Sequence, residues 1–136
     1  RYDAFVSTMK RLGLPIKESS IAMSERNIES ATCFATELLS RPERPTAVFA
    51  FNDVLAAGVI KAAARLGLSI PGDVAVVGFD DSPVCPLLEP ELTSVHVDCH
   101  KMGELSMERL MELLNGKKDV EKITKVPVTL RIRNST

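Results

Sequence analysis

Asn52 and Asp80 are the residues of this chain best placed for polar chemistry, because each follows an apolar run that reads as a buried strand, Thr46–Phe51 and Val74–Phe79. Strands of a parallel sheet end on the same side, and ligands of open α/β sheets bind beyond their carboxyl ends. Asp80 offers only acceptors, whereas Asn52 offers donors and acceptors. Together they suit adjacent hydroxyls of a neutral polyol or the amino edge of a base. Asn and Asp also cap helices and close turns throughout proteins, and the local spacing leaves both roles open.

Other chemistry finds less support. Cys85, His96, Cys99 and His100 collect metal-ligand types in one window, but no C-x₂-C pair exists, Cys99 and His100 are adjacent and point apart, and His96 falls on a different element, so no metal site is expected. There is no G-x-S-x-G elbow, no P-loop and no G-x-G-x-x-G after a strand. Ser82 reads as part of a turn, and the two histidines read as solvent-facing, outside the crevice, which leaves no general base there. Met102, Met107 and Met111 at helical spacing read as core or interface filler. Lys117, Lys118, Lys122, Lys125, Arg131 and Arg133 read as a solvated basic face.

The elements that must position these residues alternate. Arg1–Leu12 reads as a helix stopped at Gly13-Leu14-Pro15 and Ser20–Met23 as a short strand, followed by a helix over Ile28–Leu39 capped by Asn27. Asn52 can cap a helix over Asp53–Leu66, which Gly67 stops. Beyond Phe79, Ser82–Pro90 is irregular and apolar, with Val84, Cys85, Leu87 and Leu88 wanting cover. Thr93–Val97 reads as a strand, Lys101–Leu114 as an amphipathic helix, and Val126–Ile132 as a last strand whose Pro127 marks an edge or a strand start. This order predicts an α/β fold with a mainly parallel sheet flanked by helices.

Length and composition bound the reading. The chain has 136 residues, 45% hydrophobic and 26% charged, enough for one globular domain. A formal net charge of -1 argues against nucleic-acid binding by these residues alone. Three cysteines in apolar or helical contexts read as buried free thiols in a reducing cytoplasm. No stretch approaches the roughly 18 apolar residues of a membrane span. Because Arg1 stands inside a helical pattern, without an initiator Met, the sequence reads as a piece of a longer protein.

Four segments, Arg1-Tyr-Asp-Ala-Phe5, Pro45-Thr-Ala-Val-Phe-Ala-Phe-Asn-Asp53, Ile70-Pro-Gly-Asp-Val-Ala-Val-Val-Gly-Phe-Asp-Asp81 and Pro90-Glu-Leu-Thr-Ser-Val95, in this order and separation, resemble the effector-binding core of the lactose-repressor/galactose-repressor family of bacterial regulators. The resemblance spans the chain and implies a periplasmic-binding-protein-like type I, Rossmann-like lobe. Secreted sugar-binding proteins share that fold and are the alternative, but usually lack the Pro-x-Asp-Val turn and the Pro-x-Leu-Thr-Ser/Thr-Val strand. The regulator reading implies residues 1–97 as the C-terminal lobe. Residues 98–136 are then a crossover, helix and final strand that partly belong to an N-terminal lobe outside these residues, as does the helix-turn-helix domain through which DNA would be read.

Position by position, the resemblance makes Arg1 the arginine that reaches into the cleft, Asn52 the asparagine that bonds ligand hydroxyls and Asp80 the carboxylate that accepts from them. Where many members present an aromatic ring for the ligand, this chain has Ser24-Glu25-Arg26. Arg26 is thus a further effector-binding candidate, by stacking or by pairing with an acidic group, unless it only points to solvent. The resemblance also implies a dimer contact on the loop with Val84, Leu87 and Leu88 and on the neighbouring helix Asp53–Leu66. What is expected is a cytoplasmic, dimerising, non-enzymatic effector-binding unit. It would take a sugar-like or other polar small molecule and use no cofactor and no membrane.

Overall fold

The computed structural model describes residues 1–136. Ten elements follow along the chain. Helix α1 (Tyr2–Arg11) precedes a 3₁₀ turn at Glu18–Ser20 and helix α2 (Ile28–Leu39). Strand β1 (Ala47–Phe49), helix α3 (Asp53–Arg65), strand β2 (Ala75–Asp80), a 3₁₀ turn at Cys85–Leu87 and strand β3 (Thr93–Val97) come next. Helix α4 (Cys99–Leu114) and strand β4 (Val128–Arg131) complete it. The expected strand at Ser20–Met23 does not form. Its residues lie at the 3₁₀ turn and in irregular chain, without a ladder to join.

The four strands form one sheet in the order β1-β2-β3-β4. The β1–β2 and β2–β3 pairs are parallel, with Val48 opposite Val76 and Gly78 opposite Ser94, whereas β4 runs antiparallel to β3 with Leu130 opposite Val95. The β1–β2 crossover runs through α3 and the β2–β3 crossover through the irregular segment 81–92 with its 3₁₀ turn, since parallel neighbours need a crossover of a dozen residues or more. As its proline suggested, β4 is an edge strand that starts just after Pro127, and all of it is exposed.

The core sits between β2, α3 and α2, with α2 packed against α3. Val74, Val76 and Leu92 meet Ala56, Val59, Ile60, Ala62 and Ala63 of α3 and Ala35 and Leu39 of α2. Fully burying a Val or Leu stabilises by about 1.5–3 kcal/mol, so this cluster carries most of the hydrophobic gain. The small residues let the two helices approach closely. A Cβ on Gly58 would meet Ala31 Cβ at 2.5 Å. Beyond β4, the chain returns to the sheet: buried Ser135 donates from Oγ to the Val76 carbonyl (2.6 Å) and accepts from Thr93 N (2.8 Å).

Three expectations about side chains are corrected. Cys85 is buried, and desolvation followed by the neighbouring Asp53 carboxylate pushes its thiol up to about 11, but Cys33 and Cys99 are exposed because they fall on the outer faces of their helices. Of the core-or-interface reading for Met102, Met107 and Met111, the core half fails, since α4 buries none of its residues. Arg133 is not part of a solvated face; it turns inward to the Leu92 carbonyl and Asp81.

Candidate functional site

At the carboxyl ends of β1 and β2 one guanidinium ties the two strands together. Arg1 stands at the N-cap of α1, and that helix is set against the sheet by Phe5, whose ring stacks with Phe49 of β1 at a centroid distance of 6.1 Å. From there Arg1 Nη1 donates to the Phe51 carbonyl at 2.6 Å and Nη2 to Asp80 Oδ1 at 2.7 Å. The guanidinium carbon also lies 3.8 Å from the Phe79 ring centroid and 4.6 Å from that of Phe51. Two apolar faces and two oxygen acceptors thus hold a planar cation, a task for which Arg is better shaped than Lys.

Asn52 follows Phe51 and caps α3, its Oδ1 accepting from Leu55 N at 3.0 Å. The capping role and the binding role are compatible, because the cap uses the carbonyl oxygen and leaves the amide NH₂ as a donor. Asp80 likewise leaves Oδ2 unengaged after its bond to Arg1. Asn52 and Asp80 thus leave a donor and an acceptor free at the carboxyl ends of β1 and β2. Arg26 comes to the same place from the loop before α2. Its guanidinium carbon lies 5.3 Å from the Phe51 centroid, a contact with the chain's own ring, and the residue stays exposed.

The loop carrying Asp80 is strained and braced. Asp80 has φ +105° and Asp81 φ +53°, conformations that together cost a non-glycine pair a few kcal/mol and persist only where the surroundings impose them. The bracing is a polar network behind the strand. Asp53, 1% exposed, accepts from Ser82 N at 2.7 Å and from Ser94 Oγ at 2.5 Å, and Ser94 Oγ accepts from Asp81 N at 3.1 Å. Arg133 Nη2 reaches Asp81 Oδ1 at 2.7 Å, and His96 Nδ1 lies 3.0 Å from Asp81 Oδ2. Burial would raise the Asp81 carboxyl, but the Arg133 guanidinium and His96 outweigh it and hold the group below its ordinary value.

His96 is therefore not the solvent-facing histidine expected; it sits opposite Asp80 in the β2–β3 register and leans on Asp81. His100 does stay on the exposed surface. No group of His, Cys, Asp and Glu is arranged to hold a metal ion. Sequence reasoning missed Asp53, Ser94 and Arg133 as supports and Phe51 as the shared aromatic face. One signal was available: Gly78 interrupts an otherwise β-branched run, and glycine in a strand marks a close approach. Here a Cβ would run into Asp53 Oδ1.

The apolar loop after β2 divides. Cys85 is buried, Leu88 packs inward on the core, Val84 is half-buried, and Leu87 is 81% exposed. Leu88 thus belongs to the interior more than to a surface. Helix α3 is covered by the sheet and α2 and keeps only Val54, Lys61, Ala64 and Arg65 exposed. No helix is long and apolar enough to cross a membrane.

Comparison with known proteins extends over the same residues. The chain is 35% identical over all its length to the HTH-type transcriptional regulator DegA of Bacillus subtilis, of which it covers 40%. It superimposes on a regulatory protein of the LacI family from Chloroflexus aggregans with a TM-score of 0.92 at 32% identity, covering 99% of this chain and 49% of that one. A complex of the transcriptional regulator CelR with cellobiose matches at TM-score 0.88 and 28% identity, over 96% of this chain and 40% of that one. The chain thus spans less than half the length of these relatives. The family model for the periplasmic binding protein-like domain matches residues 1–136, and with the parallel sheet, the strand-end crevice and these regulators as its relatives, the chain belongs to the periplasmic binding protein-like domain family.

Proposed function

We propose that this chain is the C-terminal part of the effector-binding domain of a ligand-responsive DNA-binding regulator, with residues 1–97 forming one lobe and residues 98–136 returning toward a partner lobe. The observation that carries the reading is the Arg1–Asp80 pair, clamped across the ends of β1 and β2 with Asn52 beside it. Arg1, Asn52 and Asp80 hold a polar small molecule of the sugar class; the similar regulator CelR is in complex with cellobiose. Binding changes the angle between lobes and so the spacing of two DNA-reading heads carried elsewhere in the protein. The unit acts in the cytoplasm as a dimer and turns over no substrate.

The test is a thermal-shift screen of mono- and disaccharides on the full gene product containing these residues, followed by calorimetry on the ligand found. Asp80→Ala should lower affinity at least tenfold, because each hydrogen bond to a charged group contributes about 1.5–3 kcal/mol. Unchanged affinity in that variant removes Asp80 from the site. Asn52→Ala should give a smaller loss, and part of it should appear as helix destabilisation from the missing cap.

A further inference from the structure

We infer that the effector carries an anionic group, a carboxylate or a phosphate, which Arg26 receives across the face of Phe51; the inference rests on the effector site proposed above. Two guanidiniums flank one ring. Arg1 lies 4.6 Å and Arg26 5.3 Å from the Phe51 centroid, so the charges cannot be further apart than the sum of these distances, about one Debye length at 0.1 M salt (roughly 10 Å). Only one of them is neutralised. Arg1 is paired with Asp80, whereas Arg26 makes no hydrogen bond and no ion pair. The carboxylate next to it in sequence is occupied elsewhere, since Glu25 Oε2 accepts from Asn27 Nδ2 at 3.1 Å at the start of α2.

Of the two guanidiniums beside Phe51, Arg1 is ion-paired and Arg26, on the exposed surface, is not. A neutral polyol would satisfy Asn52 and Asp80 but leave Arg26 with only the ring. A ligand with hydroxyls at one end and an anion at the other satisfies all of them. The planar fork of Arg26, held on Phe51, offers paired donors that match a carboxylate or a phosphate. Phe51, 42% exposed, supplies the apolar face between the two ends. The ligand class that fits is a sugar acid or a sugar phosphate.

The experiment uses the full gene product and matched probes: glucose, galactose, mannose and fructose, each beside its 6-phosphate, and glucose and galactose beside their uronic acids, read by calorimetry at low and at 0.5 M salt. The expected result is binding of at least one charged probe more tightly than its neutral counterpart, weakened by salt. Arg26→Gln should weaken it on the order of 10- to 100-fold, while Arg26→Lys retains part of it. The phosphate and uronate arms tell the two anions apart. If no charged probe outbinds its neutral counterpart, or if Arg26→Gln leaves the preference intact, the inference is wrong. A neutral sugar that loses binding in Asp80→Ala but not in Arg26→Gln keeps the site and overturns only the anion. A charged probe indifferent to Asp80→Ala overturns the site itself.

Discussion

Asp53 carries the site without touching it. Its two oxygens fix Ser82 N and Ser94 Oγ, and through them the positive-φ turn that aims Asp80. Losing both bonds strands a buried amide and hydroxyl, so Asp53→Ala should destabilise by about 3–5 kcal/mol and Asp53→Asn by less, measured by urea denaturation. Asp81 makes a companion case. Its side chain is 11% exposed and its carboxyl is held below the ordinary 3.8, so folding favours the ionised form. The stability this contributes is present above about pH 4 and is lost as pH falls through the lower folded value. Replacing Arg133 with Gln should flatten that acid-side decline, which thermal melts from pH 6 to 3 would reveal; an unchanged slope would show that other carboxylates set it.

Elements with strong patterns were legible in the sequence, and those governed by tertiary partners were not. The alternation of buried strands and capped helices gave β1, α3, β2 and β3 nearly to the residue, because Asn52, Gly67 and the β-branched run of Val74–Phe79 act locally. The segment at Ser20–Met23 has strand-like composition, yet Ser20 ends a 3₁₀ turn and the residues after it pair with no strand. The same limit hid the supports of the site: Arg133 is far from Asp81 in sequence, and nothing local says that a basic residue near the end of the chain turns inward. Helix α4 is a helix by its period, but its Leu and Met stripe could not announce that residues 1–136 leave it largely uncovered. In the 136-residue chain by itself, substitutions there should matter little. Leu110→Ser should change stability by less than about 0.5 kcal/mol, whereas Leu92→Ala in the core should cost about 2–5 kcal/mol, both read by chemical denaturation. Hydrogen exchange should accordingly be faster across α4 than across α3.

On the scale of the molecule, the exposed apolar groups of α4 and of the loop after β2 call for different partners. Along α4, Met107, Leu110, Met111, Leu113 and Leu114 are exposed, and the relatives are more than twice as long as this chain, so a lobe outside these residues is the proposed cover. Leu87 is the other case, standing out from the loop after β2 while its neighbours Cys85 and Leu88 face the core. A leucine held by a buried base is an anchor of the kind a two-fold interface repeats on both copies. We therefore expect the full gene product to sediment as a dimer at micromolar concentration and Leu87→Glu to shift it toward monomer with its melting temperature nearly unchanged. Leu88→Glu is a poorer probe, because it would place a charge against the core and lower stability by several kcal/mol whatever the oligomeric state. A Leu87→Glu protein that still sediments as a dimer would move the interface off this loop, to the exposed face of α3 at Val54, Lys61 and Arg65 or to α4.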